Sequence, residues 1–158
     1  PKLPARILRN AYLLFDFPVP GDSENGLKKS LNWLYRLGIF NDREKINYVP
    51  QVRATITTAI HLGLKLGFKK IVLCGVDLNN TAYFFSGNED KYRSQGLAVP
   101  DTGQTGSAHL TNLPLRGAIP VSGGVKIIQE EVANKLGAQI YVGAKTSALY
   151  GDLPVYPW

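Results

Sequence analysis

Cysteine occurs once in the 158 residues, at Cys74. No disulfide can form within the chain, and the place of Cys74 in an apolar run fits a reducing compartment, so the expected location is the cytoplasm. No stretch approaches the roughly 18 consecutive apolar residues that span a bilayer. The first residues also lack the charged, apolar and small-residue order of a secretory leader. Charged residues are few, at 19%, with a net charge of +6. That balance suits an anionic partner such as a nucleotide, an acidic sugar or a membrane surface. The cations Lys2, Arg6, Arg9, Lys28, Lys29, Arg36, Lys69, Lys70 and Arg116 are scattered. No dense cluster traces a nucleic-acid backbone, and no nucleic-acid partner is expected.

Metal-binding and catalytic signatures are also scarce. There are two histidines, His61 and His109, and neither has a second ligand at metal spacing. Cys74 belongs to no Cys-x-x-Cys pair, so no metal is expected. The chain has no Gly-x-Ser-x-Gly elbow, no Gly-x-x-x-x-Gly-Lys-Ser/Thr loop and no Gly-x-Gly-x-x-Gly. Those gaps disfavour serine-hydrolase, P-loop and dinucleotide-binding readings.

What is present is enough apolar sequence, 44%, for one core in a single α/β domain over residues 1–158. Arg6 to Phe17 is a mostly apolar run, a strand or short buried helix, stopped by Pro18-Val19-Pro20-Gly21. Leu27, Leu31, Leu34 and Tyr35 fall at helical spacing over Leu27 to Leu37, before Gly38. From Gln51 to Gly67 the apolar positions Val52, Ile56, Ala59, Ile60 and Leu64 predict a helix with Pro50 just ahead of it. Ile71 to Val76 reads as a strand covered on both faces. The same order returns as Ser122-Gly123-Gly124, a helix over Val125 to Leu136, and a strand at Gln139 to Val142. Two helix–strand units in series predict a mostly parallel sheet flanked by helices. Between them Asn79 to Pro120 is long and polar, and it leaves from the carboxyl end of a strand, where open α/β sheets bind ligands.

Asp77 ends the buried strand beside Asn79 and Asn80, so its carboxylate is expected at the sheet edge, binding a ligand or capping the next turn. His109 lies among small loop residues and has an ordinary pKa suited to a general base, or is a plain loop histidine. His61, on a helix outside any polar cluster, reads as a surface or core residue. Ser122-Gly123-Gly124 at a helix start offers N–H groups to an anion, or is a simple cap.

Taken together, Arg53-Ala54-Thr55, the apolar helix, Leu66-Gly67-Phe68-Lys69-Lys70-Ile71-Val72-Leu73-Cys74-Gly75-Val76-Asp77 and Tyr83 in Thr81-Ala82-Tyr83-Phe84-Phe85 resemble the bacterial sialyltransferases that use CMP-N-acetylneuraminate. His109-Leu110-Thr111 is similar to their His-Ser segment, and Ser147-Ala148-Leu149 to their Ser-x-Leu element. The resemblance runs from Arg53 to Pro154. The helix-Leu-Gly-Phe-Lys-strand-Gly-Val-Asp-Leu pattern also looks like Kdo transferases and pterin-pyrophosphokinase-like proteins.

The resemblance implies a Rossmann-like sheet with a lid over residues 79–120, and a metal-independent, inverting transfer of an acidic sugar in bacterial surface polysaccharide synthesis. No cofactor is implied, because the CMP-sugar donor is itself a substrate. By position, His109 would be the base, and Tyr83 would bind the departing phosphate with Arg53, Thr55 and Tyr92. Asp77, Asn79, Asn80, Thr111 and Ser147 would orient donor or acceptor. The implied partners are a nucleotide sugar and a glycan acceptor. The family's Gly-x-Gly-Pro-Ser loop has no match in Pro1 to Asn47, so the cytidine half-site is expected on an associated amino-terminal segment, or rebuilt. On that reading the chain is the carboxyl-terminal half of a glycosyltransferase domain. Two other readings stand beside it: a retaining CMP-Kdo transferase with Asp77 as nucleophile, and a non-catalytic Rossmann-like binding domain. The aromatic, proline-rich end, Tyr150 to Trp158, is expected to pack on its own domain, on a neighbouring subunit of a homo-oligomer, or against the inner face of the membrane.

Overall fold

A computed structural model describes residues 14–79, 87–99, 109–113 and 117–158. The apolar run enters as strand β1 (Phe15–Pro18), and Pro20-Gly21 breaks it. Helix α1 (Glu24–Arg36) follows, one turn earlier than the apolar spacing alone indicates, because the Ser23 hydroxyl caps it by accepting from the Gly26 N–H at 3.1 Å. Leu27, Leu31 and Leu34 form its buried stripe. The chain returns in β2 (Tyr48–Gln51), parallel to β1 with Phe15 opposite Tyr48 and Pro18 opposite Gln51. Strand, helix and parallel strand make a complete βαβ unit.

β2 corrects the sequence reading, which set Pro50 before a helix starting at Gln51. Among the described residues β2 has one hydrogen-bonded neighbour, and an edge strand tolerates a proline. Helix α2 (Thr55–Lys65) begins only after a tight turn. The buried Thr57 hydroxyl holds that turn, accepting from the Val52 N–H at 2.9 Å and lying 2.7 Å from the Ala54 carbonyl it can donate to. Gly67, at φ +87°, ends the helix region and leads to β3 (Lys70–Leu73).

β3 is shorter and barer than expected. Ile71 and Val72 are half-buried and only Leu73 is buried, where the sequence predicted cover on both faces as far as Val76. Its hydrogen-bonded neighbour among the described residues is β4 (Gln139–Val142), paired in parallel from Lys70–Gln139 to Leu73–Val142. Gly75, at φ +67°, then turns the chain away. The fold is α/β. Among the described residues its strands form two separate parallel pairs, where one continuous sheet was expected.

The long polar stretch contains a short helix, α3 (Glu89–Ser94), and a 3-10 turn at Leu110–Asn112. Helix α4 (Val121–Ile128) continues through a π-helical turn at Gln129–Ala133 and a 3-10 turn at Asn134–Leu136. Gly123 and Gly124 therefore lie inside α4 and do not form a loop before it. A Cβ on Gly124 would sit 3.3 Å from a Val52 methyl, so the glycine lets α4 approach the end of β2 closely. The wide turn buries Gln129, whose side-chain amide oxygen Oε1 accepts from the Ile140 N–H at 2.7 Å and locks the entry to β4.

Buried residues just beyond the first strand pair, from the second pair and from α4 form one cluster, including Val52, Leu73, Val125, Ile128, Ile140 and Val142. The carboxyl-terminal tail packs on this same body. Val155 bridges in parallel to Val142, Leu149 and Leu153 are buried, and Tyr156 meets Tyr141 edge-on at 5.3 Å. No helix among the described residues is long and apolar enough to cross a membrane.

Candidate functional site

Each parallel pair has a cleft at its carboxyl end. Beyond β1 and β2 a cavity of about 220 Å3 is lined by Val19, Gly21, Val52, Arg53, Gly117, Ala118 and Ile119. Beyond β3 and β4 a second, also about 220 Å3, is lined by Leu73, Cys74, Gly75, Val76, Asp77, Gly143, Ala144, Ser147 and Trp158. Parallel strands aim their carboxyl ends the same way, so ligands collect at such edges. Gly143 sets the width of the second cleft: a Cβ there would lie 3.2 Å from Cys74 Sγ and 3.3 Å from the Leu73 carbonyl.

The segment 109–113 is tied to both edges. The His109 N–H donates to the Leu78 carbonyl at 3.4 Å, just past Asp77. The Arg53 guanidinium donates to the carbonyls of Leu113 at 3.0 Å, Ile119 at 2.8 Å and Leu110 at 3.2 Å. The Asn112 side chain accepts from the Ser122 N–H at 3.0 Å, fastening the segment to the start of α4. Arg53 and Leu78 are also the two non-glycine residues with left-handed backbone, at φ +62° and +59°, among the described residues. Each such residue carries a conformational cost that persists only where surrounding contacts fix it.

The His109 ring lies 2.9 Å from the Thr111 hydroxyl through Nδ1. When Nδ1 donates to that hydroxyl, the basic lone pair resides on Nε2. When Nδ1 accepts from the Thr111 hydroxyl or from its N–H at 3.4 Å, Nε2 carries the proton and donates. The first tautomer suits a base and the second a phosphate partner.

The other sequence candidates divide. Asp77 lines the second cleft, and its carbonyl accepts from the Ala148 N–H at 2.7 Å. Asn79 donates from its side chain to the Thr146 carbonyl, so it braces the 144–148 loop. Ser147 is buried, donates to the Val76 carbonyl at 2.6 Å and accepts from the Leu149 N–H at 3.2 Å, which commits its hydroxyl to holding the same loop. Thr55 is exposed at the start of α2, while Thr57 makes the turn's hydrogen bonds. Tyr92 stands half-buried on α3, away from the lining of either cleft. Asn80 and Tyr83 lie outside the described residues.

Trp158 was missed as a site residue. It closes one side of the Asp77 cleft, with its Nε1–H donating to the Gly143 carbonyl at 3.2 Å. Only its aromatic character marked it in the sequence. His61 is confirmed as core: it is fully buried, its Nδ1 lies 2.7 Å from the Pro50 carbonyl, and its ring tilts against Phe40 at 5.3 Å. Burial pushes the imidazole down to about 4, against the weaker upward pull of the Pro50 carbonyl. Among the described residues no three His, Cys, Asp or Glu side chains come together as a metal site.

No family model, curated protein or solved structure matches the chain.

Proposed function

We propose that this chain is the catalytic-edge half of a metal-independent CMP-sugar glycosyltransferase of sialyltransferase type, built on a Rossmann-like sheet to which both parallel pairs belong. The observation that carries the reading is the double anchoring of segment 109–113 by the two left-handed residues, Arg53 and Leu78. It supports a cationic edge for the donor phosphate and a carboxylate edge for the acceptor, with His109 between them.

The chemistry asked of such a site is modest. A CMP-sugar carries its own leaving group, so the protein must align the acceptor, take one proton and stabilise phosphate charge. Arg53 spends three N–H groups on carbonyls and has five, so two remain for an anion. His109, in the tautomer that donates to Thr111, takes the acceptor proton on Nε2. Tyr83 adds a phosphate hydrogen bond.

The test is acceptor-dependent CMP release from CMP-N-acetylneuraminate, with His109→Ala beside the unchanged protein. Loss of a general base is expected to lower the rate about a hundredfold or more. An unchanged rate removes His109 from the mechanism. A second reading, the retaining CMP-Kdo transferase, draws on Asp77 lining its cleft as a carboxylate nucleophile. An inverted anomer in the product excludes it.

A further inference from the structure

The three main helices finish alike. α1 runs out through Arg36-Leu37-Gly38-Ile39, α2 through Lys65-Leu66-Gly67-Phe68, and the continuation of α4 through Lys135-Leu136-Gly137-Ala138. In each the glycine is left-handed, at φ +76°, +87° and +64°. Paired hydrogen bonds close each end: Gly38 and Ile39 donate to the carbonyls of Tyr35 and Leu34, Gly67 and Phe68 to Leu64 and Gly63, Gly137 and Ala138 to Asn134 and Ala133. The cation before each leucine sits where the helix dipole favours positive charge.

The three ends also meet. Lys65 Nζ donates to the Ile39 carbonyl, Lys69 Nζ to the Leu136 carbonyl, and Lys135 Nζ stands 5.5 Å from the centre of the Tyr35 ring. Phe15 and Tyr48, stacked at 5.9 Å, begin β1 and β2 at this same amino-terminal edge of the strands. Capping accounts for the glycines and the cations. It does not account for Phe15, Leu37, Tyr48, Leu66 and Phe68, which are 44% to 59% exposed. In such an end the residue after the glycine commonly packs on the residue five before it. For Phe68 that residue is Gly63, where a Cβ would lie 3.1 Å from an Ile71 methyl, so close approach of β3 leaves Phe68 no side chain there to cover. Arg36, Lys69 and Lys70 are exposed and make no ion pair among the described residues. Asp42 and Glu131 are taken up by Lys45 and Lys135, and Asp16 and Glu44 are exposed carboxylates at the same edge.

We propose that this amino-terminal edge docks on an anionic bilayer, with Leu37, Leu66 and the rings of Phe15, Tyr48 and Phe68 entering the headgroup layer while Arg36, Lys69 and Lys70 meet lipid phosphates. Charge selects the occupant. Cations without carboxylate partners beside exposed apolar groups suit an anionic interface, whereas two-fold pairing with a second copy would set the same cations against one another. Both carboxyl-end clefts and Trp158 lie at the other end of the strands and are left facing water. Docking is independent of sugar transfer, which is assayed in solution without lipid, so either can fail alone.

Flotation with vesicles of phosphatidylcholine and phosphatidylglycerol tests the dock. The protein is expected to float with them, to stay behind with phosphatidylcholine alone, and to bind less at about 1 M salt, where screening acts within about 3 Å. Lys69→Gln with Lys70→Gln should weaken binding about thirtyfold. Leu66→Ser with Phe68→Ser should weaken it at least as much. These positions are exposed and Gly67 is kept, so the thermal midpoint, followed by circular dichroism, should stay close to that of the unchanged protein. Trp158→Ser, at the opposite edge, should float as before. Absence of flotation, equal flotation with neutral and anionic vesicles, or binding that survives both double variants overturns the proposal. So does binding lost in Trp158→Ser, which would make the tail the contact. A dimer in lipid-free solution that Phe68→Ser dissolves would overturn it in favour of a second copy on this face.

Discussion

At the end of β2 the chain places a guanidinium, and at the end of β3 a carboxylate. The two clefts are of similar size and both open beyond parallel strands. Their electrostatics are opposite and so is the use made of the charged group. Arg53 is spent largely on backbone carbonyls that fasten a neighbouring segment, whereas Asp77 lines its cleft and is fastened there through its own backbone carbonyl. At the first edge the charged side chain does the fastening itself; at the second, Asn79 and Ser147 do it together with the Asp77 main chain. Mutating the charged residue should therefore disturb structure at the first edge and ligand preference at the second.

The largest test asks whether the two edges share one body. Ile140 is fully buried in β4, within the cluster that also holds Val52 beside Arg53. Ile140→Ala is expected to cost about 2–5 kcal/mol, and hydrogen exchange should show both edges loosening together. Melting of the β3–β4 side alone would make the clefts independent.

A change of pH sharpens the contrast, because His61 supports only the β2 side, through the Pro50 carbonyl. Above pH 6.5 the imidazole is neutral whether folded or not, and its contribution to stability is complete. Below 6.5 the unfolded ring takes up a proton that the buried ring refuses until about pH 4. Stability is expected to fall across that window by about 3 kcal/mol. His61→Asn keeps a donor for the carbonyl and removes the titration, so its denaturation midpoint should lose that part of the pH dependence. An identical pH profile would mean that carboxylates elsewhere govern the acid limb.

The smallest effect belongs to Arg53. Its three hydrogen bonds are partly open to solvent, so Arg53→Ala should cost about 1–2 kcal/mol. The amides of 109–113 should exchange faster while those of β3 and β4 stay protected. Arg53→Lys should not restore the protection, because an ammonium cannot fork to separate carbonyls as a guanidinium does.

The reach of sequence reasoning follows the same physical divisions. α1 and β4 were legible because their side chains repeat with the period of the element, as in Leu27, Leu31 and Leu34. The class α/β followed from the order of such segments. β2 was hidden: it is four residues long and contains Pro50, which reads as a breaker unless the strand is known to lie at an edge. The position of Asp77 beyond the strand was legible because a carboxylate ended an apolar run. Its companion Trp158 was not, since they meet only through the pairing of β3 with β4 and the return of the tail along Val142. The left-handed backbone at Arg53 and Leu78 has no signal in residue type, because tertiary contacts impose it where glycine would announce it.

Gly143 gives the second cleft a consequence for descent with change. Its backbone needs no left-handed freedom, and what the position requires is empty space beside Cys74 and the Leu73 carbonyl. A single methyl group would press on both and narrow the opening that Trp158 borders. Exchange to alanine would therefore push on the end of β3 as well as act as a gate on ligand girth. A lineage could retune what this protein admits by altering one hydrogen atom's worth of surface, without touching any residue that carries charge.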